Sequence, residues 1–335
     1  VNEVFVVKTA TICILFLVVL FLGRKDQKLY SIHGLAQGTD FNVNYFADSE
    51  RVTRQQIDSV LVQIDSSMSL YKPYSLISKF NNSSRGIRID PGFLSVVKKA
   101  FQISKESEGR FDITVGPLVQ LWGFGPYPVR AFPDEAAVGE ALKFVGMKYL
   151  RIDGDFLQKT KRQVQIDLNG IAQGYSVDVV AAFLESSGIN SYIVEIGGEV
   201  VVKGPKPDGS GYKIGIAGPG AEGEAFRHIV QIKAGGMTTS GNYNKTLQYK
   251  KGEISHLINP KTGYPLISQM VSVTVLAKDA ITADGYDNAL MAMQISEAMK
   301  FLNARKDLAA YFIYRKADGQ LADTLTSGFK KLLVN

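Results

Sequence analysis

The sequence predicts an α+β fold, with largely antiparallel sheets flanked by helices. Strand-length runs cluster in the second half of the chain at Ser191 to Glu195, Glu199 to Lys203, Tyr212 to Ile216, His228 to Lys233, Ile254 to Ile258, Val271 to Leu276 and Ala309 to Tyr314. Tight turns join them in succession, a pattern that favours antiparallel pairing over the regular strand–helix alternation of a doubly wound parallel sheet. At 335 residues, 45% hydrophobic and 21% charged, the chain carries enough apolar surface for a substantial core.

Thr9 to Leu22 is apolar apart from its threonines, and Val4 to Val7 extend it with only Lys8 interrupting. The run is short for a spanning helix, which needs about 20 residues, so a cleaved signal sequence is the alternative. No small-x-small cleavage pattern stands out, and Ala10-Thr11-Ile12 before Cys13 does not resemble a lipoprotein box. Residues 1–25 are therefore expected to be a membrane anchor. Arg24, Lys25 and Lys28 follow the run and Lys8 precedes it, so the basic-residue count by itself argues against placing the large domain outside.

Residues 26–335 contain no long linker, low-complexity run or fixed-period repeat and are read as one catalytic unit. Ser31 to Tyr45 alternates as a hairpin or paired strands around Gly38. Thr53 to Met68 has helical spacing through Ile57, Val60, Leu61 and Ile64, and Pro91 to Ser107 has it through Phe93, Leu94, Val97, Ala100 and Phe101. Pro133 to Val145 and Ser296 to Ala304 give shorter helices. Gln163 to Asp167 reads as a strand, Ile171 to Leu184 and Ala280 to Met293 as helices. Loops rich in glycine, aromatics and hydroxyls are expected at Phe111 to Pro126, Gly235 to Gly241 and Ser255 to Gly263.

A net charge of +6 arises from 38 basic and 32 acidic residues, and the basic ones are scattered, with short clusters such as Lys250-Lys251. Nucleic-acid binding calls for a concentrated basic stripe, so this class is set aside. Cys13 is the single cysteine, which excludes a disulfide framework or a cysteine metal site in the globular part.

Two stretches carry most of the chemistry. In Asp167-Leu168-Asn169-Gly170-Ile171-Ala172-Gln173-Gly174 a glycine turn leads from the expected strand into a helix, whose first N–H groups suit an anion such as a diphosphate. Asp167 ends the strand where a carboxylate meets ligand hydroxyls or amides. In Thr282-Ala283-Asp284-Gly285-Tyr286-Asp287-Asn288-Ala289, Asp284 and Asn288 share one helix face. They offer hard oxygen donors of the kind Mg2+ takes alongside water and substrate phosphate. Asp287 lies one residue off that line, either backing the ligands or solvated. His256, where a strand meets a loop, is either a structural residue or a proton acceptor.

Taken in order, these segments resemble the ApbE family, the FAD:protein FMN transferases. The blocks are Gln37-Gly38-Thr39, Met68 to Pro73 through Phe80-Asn81, Phe111 to Pro126, Asp167 to Gly174, Glu195 to Gly198, Thr239-Ser240-Gly241, Ser255 to Gly263 and Ala283 to Ala289. The resemblance implies a single T-fold-like catalytic domain that splits FAD at its diphosphate. FMN then passes to a threonine hydroxyl of an acceptor protein, with release of AMP and a requirement for Mg2+.

By the same resemblance the metal ligands are the Gly170 carbonyl, Asp284 and Asn288. FAD contacts fall on Gln37, Tyr71, Phe111, Asp112, Ile113, Asp167, Gln173 and Ile258, and His256 matches the residue that deprotonates the acceptor. Asn288 stands where the family usually has threonine, and Gln37, Gln173 and Asn259 also depart from its usual residues. The family further implies a domain on the periplasmic side of the inner membrane and acceptors such as Rnf- or Nqr-type redox subunits. A Mg2+-dependent FAD diphosphatase and a flavin-binding module without turnover are the alternative readings.

Overall fold

In Thr39–Ala47 the side chains of Phe41, Val43 and Tyr45 are buried and those between them half-exposed, so period-two patterning turns one face of this strand into the core. The computed structural model describes residues 27–218, 227–242, 246–249 and 252–334. In chain order its elements are β1 (Lys28–Ala36), β2 (Thr39–Ala47), α1 (Arg54–Met68), α2 (Leu76–Asn82), β3 (Gly86–Arg88) and α3 (Pro91–Glu106). Then come α4 (Gly116–Leu121), α5 (Glu135–Leu142), β4 (Leu150–Asp153), β5 (Phe156–Lys159), α6 (Ala172–Ser186), β6 (Tyr192–Ile196), β7 (Glu199–Lys203), β8 (Tyr212–Ile216) and β9 (His228–Ile232). They end with β10 (Ala234–Gly241), β11 (Thr246–Tyr249), β12 (Gly252–Ser255), β13 (Met270–Ala277), α7 (Ala280–Met291), α8 (Ile295–Asn303), β14 (Ala309–Arg315), β15 (Leu321–Leu325) and α9 (Ser327–Lys330).

Eight strands form one sheet in the order β1-β2-β6-β7-β10-β13-β14-β15, every neighbouring pair antiparallel. The two faces are covered differently. In β7, Val201 packs with Val177 and Val180 of α6, whereas Val200 and Val202 turn to the β8–β9 ribbon through Ile214 and Val230. Helices α1, α3, α6 and α7 thus share one face, with Phe93, Val97, Ala283 and Leu290 packed on Val273, Val275 and Phe312.

Local signals account for the helix starts. Thr53 and Gln56 form a capping box ahead of α1, and Asp90 caps α3 with Pro91 in its first turn.

Four segments differ from the sequence reading. Phe111 to Pro126, expected as a loop, contains the helix α4 (Gly116–Leu121). Gly235 to Gly241, expected as a loop, belongs to β10 in the middle of the sheet. A Cβ on Gly236 would come within 2.2 Å of the Ala280 nitrogen, so glycine here lets the start of α7 rest on the strand. Gln163 to Asp167, expected as a strand, joins no ladder. Instead Asn81 makes two bonds to the backbone of Ile166, at 2.9 and 2.8 Å, and Lys159 donates to the carbonyls of Val164 and Asn81. Side chains do the work of a neighbouring strand. The run at Ile254 to Ile258 leaves its strand at Ser255, because Ile258 bridges to Pro265 across a tight loop. Residues 1–25, assigned above as an anchor, lie outside the described residues, and among the described residues no helix is long and apolar enough to cross a membrane.

Candidate active site

α6 and α7 cross in close contact. A Cβ on Gly174 would sit 2.5 Å from the Ala280 carbonyl oxygen and 2.7 Å from the Asp284 Cβ, so only glycine allows this approach. The Gly174 N–H donates to Asp284 Oδ2 at 2.8 Å, while Ala172 N–H bonds to the Leu168 carbonyl at 2.8 Å. The helix start expected to hold an anion has therefore already spent two N–H groups, one of them on Asp284.

Asp284 is buried, and burial, reinforced by Asp178 and only partly offset by the Gly174 N–H, pushes its carboxyl up to about 7. Asp287, also buried, accepts from the Thr238 hydroxyl at 2.6 Å and is held well above the usual carboxylate range by burial and by Asp284. That excludes the solvated alternative. Among the described residues neither carboxylate forms an ion pair with lysine or arginine.

Asn288 completes the cluster. Its Nδ2 faces four oxygens: the Asp284 carbonyl at 3.0 Å, Asp287 Oδ1 at 3.0 Å, Asp284 Oδ1 at 3.4 Å and the Gly170 carbonyl at 3.4 Å. Converging oxygen acceptors around one point, backed by two buried carboxyls without a cationic partner among the described residues, fit a hard divalent cation. Turning the Asn288 amide about its own bond exchanges nitrogen for oxygen at that point.

The Phe111 loop joins the site through carboxylate-anchored turns. Asp112 accepts from the Thr114 N–H at 2.7 Å and the Met147 N–H at 3.1 Å, and burial nonetheless raises its carboxyl. Asp167 N–H donates to the Ile113 carbonyl at 2.8 Å, tying the two loops together, and Asp167 Oδ1 accepts from Asn169 N–H at 2.8 Å. Gln173 donates to the Ile196 carbonyl at 3.0 Å, beside Gly197, whose φ of +61° closes the β6–β7 hairpin.

His256 follows β12 directly. Its loop is tied by hydrogen bonds: Leu266 N–H bonds to the Leu257 carbonyl at 2.7 Å, Asn259 N–H to the Tyr264 carbonyl at 2.9 Å, and Trp122 Nε1 to the Gly263 carbonyl at 2.8 Å. The imidazole stands edge-on to Phe124, centroids 6.3 Å apart.

A cavity of about 430 Å³ is lined by Tyr71, Phe111, Asp112, Ile113, Asp167, Gly170, Gln173, His256, Ile258, Asp284 and Asn288. Eleven residues named from the sequence thus meet on one wall system. Gln37 does not line it; its amide donates to the Ser176 hydroxyl of α6 at 2.9 Å from a hairpin tip with φ of +54°. The sequence reading missed Arg110, Glu199 and Asn169, which also line the cavity. Asn169 lay inside a quoted motif, but nothing local marks Arg110 or Glu199. Among the described residues five carboxylates, Asp112, Asp167, Glu199, Asp284 and Asp287, line the cavity with one guanidinium, Arg110, which pairs with Glu297 and Glu108. Such a surface repels a diphosphate unless cations or protons offset it.

The sequence pattern of the ApbE family matches residues 37–312. The FAD:protein FMN transferase of Vibrio cholerae is 36% identical over 327 residues, covering 94% of this chain and 96% of that protein. Among solved structures, the flavin transferase ApbE from Vibrio cholerae superposes with a TM-score of 0.83 at 34% identity, covering 92% of this chain and all of that one. The flavinyl transferase ApbE of Pseudomonas stutzeri in its apo form gives a TM-score of 0.81 at 33% identity, over 91% of this chain and 97% of that one. Match length, identity and fold agree, and the chain belongs to the ApbE family.

Proposed function

We propose that this chain is a flavin transferase that cleaves FAD at its diphosphate and moves FMN onto a threonine hydroxyl of an acceptor protein. The observation that carries this reading is the meeting of the Gly170 carbonyl, Asp284 and Asn288 with His256 on one cavity. Relatives sharing about a third of its residues along nearly the whole chain bear the name FAD:protein FMN transferase.

Mg2+ would be held by the Gly170 carbonyl, Asp284 and Asn288, and when bound supplies positive charge to offset that gathering on the diphosphate. Phe111, Ile113 and Ile258 give the flavin or adenine an apolar wall, Tyr71 an aromatic face, and Asp167 and Gln173 polar contacts. His256, as neutral imidazole, accepts the acceptor hydroxyl proton. The oxygen so freed bonds to the phosphorus of the FMN half, the bond from that phosphorus to the bridging oxygen breaks, and AMP leaves with the electron pair.

The apolar segment Thr9 to Leu22 would anchor the enzyme in the inner membrane with the catalytic domain on the periplasmic side, beside acceptors such as Rnf- or Nqr-type redox subunits. The reading is tested by incubating the chain with FAD, Mg2+ and the flavin-carrying domain of such a subunit, then following in-gel flavin fluorescence and nucleotide products by chromatography. A fluorescent acceptor band with matching AMP is expected. Free FMN and AMP with an unlabelled acceptor would replace transfer by hydrolysis, and intact FAD would reduce the chain to a flavin-binding module.

A further inference from the structure

α6 and α7 are joined by a ladder with a four-residue step. Asp178 on α6 accepts from Ala280 N–H at 2.9 Å and Ile281 N–H at 2.8 Å, the first two residues of α7. One turn along, the bond runs the other way, from Gly174 N–H to Asp284 at 2.8 Å. One further step brings Gly170 and Asn288 together, with the carbonyl oxygen and Nδ2 3.4 Å apart. Residues 170, 174 and 178 therefore face 288, 284 and 280 in antiparallel order; 174 and 178 share one face of α6, and 170 lies in the turn just before it. The cation site is one end of this ladder and Asp178 is the other.

We propose that Asp178 is a positioning residue for that site, setting where α7 lies along α6 and so the distance between the Gly170 carbonyl and the Asp284–Asn288 pair. The inference rests on the metal reading given above. Asp178 does not line the cavity and acts through α7. A slide of α7 by one residue, about 1.5 Å, would break both carboxylate rungs at once. The helix does not need Asp178 merely to be capped, because Asp279 already accepts from Thr282 N–H at 3.0 Å. What Asp178 adds is a bond between helices. Lys99 on α3 holds the same turn through the Thr282 hydroxyl at 2.9 Å, so the start of α7 is gripped from two neighbours.

The test measures Mn2+ binding to the full chain with FAD, by loss of the free-ion paramagnetic resonance signal, beside thermal melting without metal. Asp178→Ala is expected to weaken Mn2+ binding by about tenfold, as loss of a group orienting metal ligands does. Asp178→Asn, whose carbonyl oxygen still accepts from one N–H, should show an intermediate loss. Asp279→Ala, which removes the cap of the same helix but no interhelical bond, should lower the melting temperature and leave Mn2+ affinity near wild type. Equal affinity losses in Asp178→Ala and Asp279→Ala would reduce Asp178 to a helix cap and overturn the proposal. Should Asp178→Ala fail to fold, Asp178→Asn decides: an intermediate loss supports the proposal and wild-type affinity overturns it. A wild-type chain that binds no Mn2+ overturns the metal reading itself, and this inference with it.

Discussion

The backbone N–H of Gly174 and the carboxylate of Asp284 are bonded at 2.8 Å, although 110 residues separate them in sequence. That contact makes the start of α6 and the middle of α7 a single unit. It also explains a glycine in the first turn of a helix, where the residue otherwise weakens helix formation.

Gly174→Ala tests this contact. The added methyl would lie 2.5 Å from the Ala280 oxygen and 2.7 Å from the Asp284 Cβ, so the helices must separate. Urea unfolding should show a loss of about 1–3 kcal/mol, the usual cost of overpacking. Metal-dependent activity should fall with it.

Asp284→Ala should abolish Mg2+-dependent transfer, since it removes one of the two side chains assigned to the cation. Acceptor labelling at saturating Mg2+ checks this. Full activity in the variant would eliminate the assignment.

His256→Ala should slow transfer by about 10²–10⁴-fold, the range for loss of a general base. FAD affinity, read by flavin fluorescence quenching, should change little, because the apolar wall and the cation ligands are untouched.

Stability of the metal-free chain should fall as pH rises. Asp178 is pushed up to about 6 and Asp284 to about 7, each chiefly by burial, whereas the same groups in the unfolded chain titrate near 3.8. Between those values the folded state holds protons that the unfolded state has released, so raising pH favours unfolding. The stabilising contribution is complete below the unfolded value and is lost as pH passes through the folded ones. Thermal melting without metal should therefore give a lower midpoint at about pH 8 than at about pH 5, and Asp284→Asn should flatten the difference. Mg2+, by replacing protons at the site, should stabilise more at the higher pH.

Asn81→Ala should cost about 1–3 kcal/mol by leaving the Ile166 backbone without its partner. Because the clamped segment ends in Asp167, the KM for FAD should rise more than kcat falls.

Much of this was legible in the sequence because its causes are local. Thr53 with Gln56 and Asp90 with Pro91 mark helix starts, and the strands β7 (Glu199–Lys203) and β8 (Tyr212–Ile216) have the bounds read from their strand-length runs. Asp284 and Asn288 share a face because they are four apart on a helix, as read from spacing. What escaped depends on partners distant in the chain. β10 (Ala234–Gly241) reads as a loop because Gly235 and Gly236 are small for a reason that exists only once α7 packs against them. Gln163 to Asp167 reads as a strand, yet its hydrogen bonds go to the side chains of Asn81 and Lys159. Asp178 carries no local mark, since its role depends on where another helix begins.

The most direct measurement is anomalous diffraction from crystals grown with FAD and Mn2+ in place of Mg2+. The account predicts a peak about 2.1 Å from the Gly170 carbonyl oxygen, an Asp284 oxygen and the Asn288 side-chain oxygen, with the FAD diphosphate completing its shell. A peak bound by other residues, with Gly170, Asp284 and Asn288 left without metal, would contradict it.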